Sequence, residues 1–327
     1  MIERPIIILG APRSGTTILH RCLALHPDLW HLPGESHFIL EGPFHPSRRG
    51  YGSNRVTAED VTEEIAAHLR SRFYRSAINL NQIMADPSSL LAGNSLSERA
   101  VNKILVSMVG CLSAIKKPKS IRFLEKTPKN SLRIPMLDKL FPDALYIWIK
   151  REAARNINSL IAGWHAVDRF GPFTRQRFAG AGYPIAEQLA LQDYPGKWWK
   201  FALVPGWREF KGKTLADVAV WQYYQCNWHV ITDLANMDNK RVFSVRYEDF
   251  IKQSVTVIRE ICSWGGLPFS HLVENFTEVL PPVSVISPKR YGSKGNLRYA
   301  NAVREALERF PEVAALQKKM GYVVTSQ

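Results

Sequence analysis

The chain has 327 residues, with 43 Lys and Arg against 29 Asp and Glu, a formal net charge of +14 at pH 7. At 46% hydrophobic and 22% charged residues the composition is that of an ordinary globular protein, which excludes a disulfide-stapled miniprotein, a collagen-like chain and a wholly disordered one. The positive excess points to an anionic partner; nucleic acid, a membrane surface and a small phosphorylated ligand all satisfy it.

The first element is Pro5 to Leu9, a continuous β-branched run that fits a strand buried on both faces of a parallel sheet. Gly10 to Thr17 follows as a glycine-bounded loop. Ile18, Leu19, Cys22, Leu23 and Leu25 then recur at helical spacing until His26 and Pro27 break it. Further helical patterns cover roughly Ala58 to Phe73, Ser97 to Ile115, Asn130 to Phe141, Ala153 to Trp164, Leu215 to Leu234 and Val255 to Trp264. Ala144 to Ile149 and Val242 to Val245 read as further strands, with Ile121 to Leu124 a weaker one. Strands alternating with helices predict an α/β fold, a mostly parallel sheet flanked by helices in three layers. One domain over 1–327 is expected, with an aromatic and basic insertion at about 165–213 over one end of the sheet. Its Trp198, Trp199 and Trp207, with Trp164 just before it, either line an acceptor pocket or pack the core.

Cys22, Cys111, Cys226 and Cys262 are scattered, without a CxxC pair, and read as reduced core thiols. The apolar run Ile6 to Leu9 is too short for a signal peptide or a membrane span. A soluble, cytoplasmic protein is the expectation.

Gly10 to Thr17 has the spacing of a phosphate-binding loop, with Thr16 where a nucleoside triphosphate enzyme carries Lys. Successive backbone N–H groups and the positive end of the next helix still form an anion nest. Arg13 supplies a cation from inside the loop. The strand ending at Ile149 runs into Lys150 and Arg151, so it offers no acid for a magnesium ion. These features predict phosphate binding without the triphosphate–magnesium apparatus.

Gly10-Ala11-Pro12-Arg13-Ser14-Gly15-Thr16-Thr17, followed by Leu25-His26-Pro27, resembles the 5′-phosphosulfate loop of sulfotransferases that use 3′-phosphoadenosine 5′-phosphosulfate (PAPS), in its bacterial and tyrosylprotein branches. Arg151 after a strand, with Ser159 eight residues on, is similar to the pair that grips the 3′-phosphate in that family. Lys126-Thr127-Pro128 and Tyr247-Glu248-Asp249 match further segments in order, so the resemblance runs from about Pro5 to Gly321. Two features depart from the pattern. Glu152-Ala153 stands where Asp-Pro is usual, and Gly34-Glu35-Ser36 keeps only the first of two adjacent acids.

The resemblance implies a metal-independent, in-line transfer of a sulfuryl group from PAPS to a hydroxyl, leaving adenosine 3′,5′-bisphosphate. It places Pro12, Arg13, Ser14, Gly15, Thr16 and Thr17 on the 5′-phosphosulfate and Arg151 and Ser159 on the 3′-phosphate. Ser293, Lys294 and Gly295 are matched to a basic turn that closes on the same phosphate. Arg13 and Lys126 are the cations for the developing charge. Glu35 is the first candidate for the base and His37 the second. The acceptor, whether a small molecule, lipid alcohol, glycan or peptide tyrosine, is open. A P-loop kinase or NTPase and a basic nucleic-acid-binding protein are the competing readings, although no nucleic-acid module signature is present.

Overall fold

The computed structural model describes residues 1–79, 117–166, 182–278 and 298–323. The chain opens with β1 (Ile6–Leu9), α1 (Thr16–Leu23), β2 (Leu29–His31), α2 (His37–Phe44) and α3 (Glu63–Ser76). It continues with β3 (Arg122–Lys126), a 3₁₀ turn (Pro128–Leu132), α4 (Ile134–Leu140), β4 (Leu145–Lys150) and α5 (Ala153–Ala166). After the insertion come α6 (Leu215–Leu234), β5 (Val242–Arg246), α7 (Tyr247–Lys252), α8 (Ser254–Gly265), α9 (His271–Glu278), α10 (Ala300–Arg309) and α11 (Glu312–Lys319).

The strands form one sheet in the order β2-β3-β1-β4-β5, and every pairing is parallel. In register, Ile8 lies beside Lys126 on one side and Ile147 on the other. The two-residue period of a strand splits the central apolar run between two cores. Ile7, Leu9, Tyr146 and Trp148 pack against α2 to α6. Ile6, Ile8, Ile147 and Ile149 pack against α1, α8 and α9. Both faces are thereby dry, which is why these strands are uninterrupted apolar runs. The sheet is the parallel, helix-flanked α/β arrangement that the sequence predicts.

Several boundaries differ from the sequence reading. α3 starts at Glu63 rather than Ala58, because Thr62 caps it by accepting from the Ile65 N–H at 3.3 Å. The helix expected from Asn130 is a 3₁₀ turn and then α4, with Pro128 and Pro135 each in the opening turn of its own element. β2, α2, α7 and the helices from His271 onward have no counterpart in the sequence-based elements. The helix expected over Ser97 to Ile115 and Cys111 lie outside the described residues. Cys22, Cys226 and Cys262 are free, buried thiols.

The described part of the insertion, 182–213, is tied to the body by its rings. Trp164, Trp199 and Trp207 are fully buried in the core cluster that contains α5 and α6. Each indole N–H donates inward, to Gln222 Oε1, to the Ala202 carbonyl and to the Tyr51 carbonyl respectively. These three therefore do not line an acceptor pocket, and only Trp198 is partly open to solvent. A buried indole needs a partner for its N–H, and here the Gln222 side chain supplies one and loop carbonyls the other two.

Candidate active site

All parallel strands point their carboxyl ends the same way, and the described residues among those singled out from the sequence collect at that edge. After β1 the chain turns to one side of the sheet, and after β3 it crosses to the other. β1 thus ends at a topological switch point, where open α/β sheets bind ligands.

The glycines of the loop after β1 let its backbone pack tightly against the sheet. Gly15 has φ +106°, and a Cβ there would fall 2.3 Å from the Tyr247 ring. A Cβ on Gly10 would meet the Ile149 carbonyl oxygen at 2.7 Å. Arg13 is itself left-handed at φ 72°, an uncommon conformation for a residue with a side chain. Side chains from elsewhere hold this shape. The Ser131 hydroxyl donates to the Gly10 carbonyl at 3.0 Å, Asn156 Nδ2 to the Pro12 carbonyl at 3.2 Å, and Arg151 Nη1 to the Arg13 carbonyl at 2.7 Å. α1 begins at Thr16, so the first N–H groups of the helix have no carbonyl a turn earlier to bond and face the loop. Thr16 is buried and Thr17 exposed at this helix start.

Among the described residues, three buried atoms around the loop lack a partner: Ser14 Oγ, Arg151 Nε and Asn156 Oδ1. Such groups are costly unless a ligand or water satisfies them. Arg151 lies with its guanidinium 4.6 Å over the Tyr247 ring. Arg13 Nε donates to Ser159 Oγ at 3.2 Å, so the loop arginine and the α5 serine are brought together. Glu152 takes over the cap of α5, accepting from the Ala154 and Arg155 N–H groups at 2.8 and 2.9 Å; the helix survives without the Asp-Pro pair. Loop amides, buried donors without a partner and the start of α1, which has no side-chain cap, fit a phosphate-bearing nucleotide. Ser293, Lys294 and Gly295 lie outside the described residues.

On the β3 side, Glu35 bonds Lys126 Nζ through Oε1 at 2.6 Å and His37 Nε2 through Oε2 at 2.8 Å. It is partly open, with 31% of its side chain exposed. Burial pulls its carboxyl pKa up, but Lys126 and His37 outweigh that and hold it at about 2. The Glu35 loop is lashed to the end of β3. The Ser36 N–H donates to Thr127 Oγ1 at 2.8 Å, and the Ser36 hydroxyl donates to Glu125 Oε1 at 2.7 Å. Asn130 Nδ2 reaches the same Glu125 oxygen at 3.0 Å. Burial in turn raises the Glu125 pKa.

Several neighbours of this site carry no sequence motif. Ser131 and Asn156 brace the loop. Glu41, one helical turn after His37, carries a readable signal in that spacing alone. Lys129 and Tyr183 converge on Glu41 from a turn and from the insertion, and no local pattern links them.

The chain belongs to the sulfotransferase family, whose model matches residues 5–190. It is 24% identical over 179 residues to a Caenorhabditis briggsae protein provisionally named a protein-tyrosine sulfotransferase, covering 53% of this chain and 50% of that one. The match thus spans about half the length of that curated relative. Among solved structures, the sulfotransferase domain from the curacin biosynthetic pathway is 16% identical, with 99% of each chain covered and a TM-score of 0.45. A sulfotransferase from Alicyclobacillus acidocaldarius is 17% identical over 98% of this chain and 97% of that one, with a TM-score of 0.44. No described helix is long and apolar enough to cross a membrane.

Proposed function

We propose that the chain moves a sulfuryl group from PAPS to a hydroxyl acceptor at the carboxyl edge of the sheet. The observation that carries this reading is the Glu35 carboxylate clasped by Lys126 and His37 on a parallel sheet whose β1 opens into a Thr-ended phosphate loop. In this reading the loop amides, Ser14, Thr16 and Thr17 hold the 5′-phosphosulfate, and Arg151 with Ser159 holds the 3′-phosphate. Ser293, Lys294 and Gly295 complete the 3′ end. Lys126 and Arg13 carry the charge that grows on the sulfonate and on the bridging oxygen. Glu35, with His37 behind it, takes the acceptor proton.

A carboxylate held at about 2 is a weak base while Lys126 stays on it. A donor sulfonate that draws Lys126 away releases Glu35 as the acceptor arrives, so base strength is tied to donor binding. Peptide tyrosine is the first acceptor to test, because the Caenorhabditis briggsae relative carries that name; phenols, sugars and lipid alcohols follow.

Thermal shift with adenosine 3′,5′-bisphosphate, followed by transfer of labelled sulfate from PAPS, tests the reading. Stabilisation by the bisphosphate, none by ATP–magnesium, and label on a hydroxyl acceptor are expected. The reverse ranking of the two nucleotides would instead favour phosphoryl transfer.

A further inference from the structure

α2 carries a second carboxylate, directly behind His37, that the transfer chemistry above does not use. The Glu41 side chain is only 8% exposed. Its Oε1 accepts from Lys129 Nζ at 2.7 Å, from the Tyr183 hydroxyl at 2.9 Å and from Arg133 Nη2 at 3.4 Å. The Tyr183 hydroxyl in turn accepts from Asn54 Nδ2 at 2.6 Å and from Lys129 Nζ at 2.7 Å. Two cations and a phenol on one oxygen keep Glu41 ionised, and its carboxyl is held well below the usual range despite burial.

That same oxygen lies 3.5 Å from His37 Nδ1, a buried atom with no hydrogen-bond partner. The other ring nitrogen, Nε2, is 2.8 Å from Glu35 Oε2. The imidazole therefore bridges two carboxylates. A ring nitrogen facing an ionised carboxylate must carry a proton for the contact to be attractive. Glu41 is fixed by Lys129, Arg133 and Tyr183. Among the described residues Glu35 is held by Lys126 alone besides the ring, and Lys126 is the cation a donor can draw away.

We propose that Glu41 is a positioning residue for the reaction: its carboxylate retains the Nδ1 proton of His37, so that Nε2 is the nitrogen that exchanges a proton with Glu35. This rests on the sulfuryl-transfer reading. In the step, the acceptor O–H bond breaks and its oxygen forms the bond to sulfur. The bond from sulfur to the 5′-phosphate oxygen breaks and leaves its electron pair on that oxygen. The proton goes to Glu35 and from there to Nε2. Glu35 is again ionised and His37 is an imidazolium between two carboxylates, until solvent takes the proton from Nε2. The ring is faced by Glu35 from the loop before α2 and by Glu41 from α2. Behind those carboxylates stand Lys126 from β3, Lys129 and Arg133 from the segment after it, and Tyr183 from the insertion.

The test combines kinetics with a readout independent of turnover. Glu41→Gln keeps the size and removes the charge; because it strands Lys129, it is paired with the charge-balanced double variant Glu41→Gln with Lys129→Met. Bisphosphate thermal shift reports whether each is folded. For an active parent, kcat in the folded variant should fall at least about tenfold with the donor KM unchanged. A kcat within twofold of the parent, or a change confined to KM, would overturn the proposal. Independently, ¹⁵N-histidine spectra, assigned with His37→Gln, should show a protonated Nδ1 in the parent and its loss or shift in the variant. An Nδ1 signal indifferent to the charge at position 41 overturns the positioning role even if the parent transfers no sulfate. Absence of transfer in the parent with the spectral change intact counts against the sulfuryl-transfer reading and supports the Glu41–His37 contact.

Discussion

Glu35 is a carboxylate whose charge is held by neighbouring side chains more than by water. Its contacts to Lys126 and His37 depress its pKa from 4.5 to about 2. A depressed carboxyl stabilises the folded state fully above its unfolded value and loses that contribution as pH falls through its folded value. The parent should therefore lose stability more steeply than Glu35→Gln between about pH 4.5 and about pH 2, measured as denaturation midpoints across that window. The same variant should lower kcat by about a hundredfold or more while binding adenosine 3′,5′-bisphosphate as the parent does. An active Glu35→Gln beside an inactive His37→Ala would move the base to His37. The sequence places Glu35, His37 and Lys126 in one candidate set, but not as partners. Glu35 and Lys126 are 91 residues apart, and the parallel pairing of β2 with β3 brings them together. In the structure the ion-pair partners of Glu35 are Lys126 and His37, while the loop cation Arg13 reaches Ser159.

At the scale of elements, the legible parts are those whose physics is local. β1 and β4 stand out as apolar runs because both sheet faces are covered there, and the loop stands out because its glycines are sterically required. β2 is three residues, Leu29–His31, too short to show a period. α2 contains Pro43 near its end, which reads in sequence as a break. The start of α5 combines both kinds of information. Arg151 was visible at a strand end, but that Glu152 caps the helix in place of Asp-Pro emerges only from its two N–H contacts. Glu152→Ala should cost about 1 kcal/mol, seen as a lowered Tm. Arg151→Ala should weaken adenosine 3′,5′-bisphosphate binding roughly tenfold or more, read by calorimetry. Equal affinity in Arg151→Ala and the parent would remove Arg151 from the 3′-phosphate site.

For the whole molecule, the +14 charge takes on a narrower meaning. The candidate site concentrates Arg13, Lys126 and Arg151 at the carboxyl edge of the sheet. The many other basic residues add a positive charge that would favour the approach of an anionic donor. Such an attraction is screened over about 8 Å at physiological ionic strength, so added salt should raise the donor KM and leave kcat nearly unchanged; a kcat that falls with salt would place the effect on chemistry instead. The tight fit of Gly15 against Tyr247 has its own consequence. The first loop of the chain and the outermost strand, through the residue that follows it, share a single van der Waals surface. By reciprocity of linked equilibria, a nucleotide that stiffens the loop must slow amide exchange in Val242–Arg246, at the sheet margin. Loosening that margin should in turn cost nucleotide affinity.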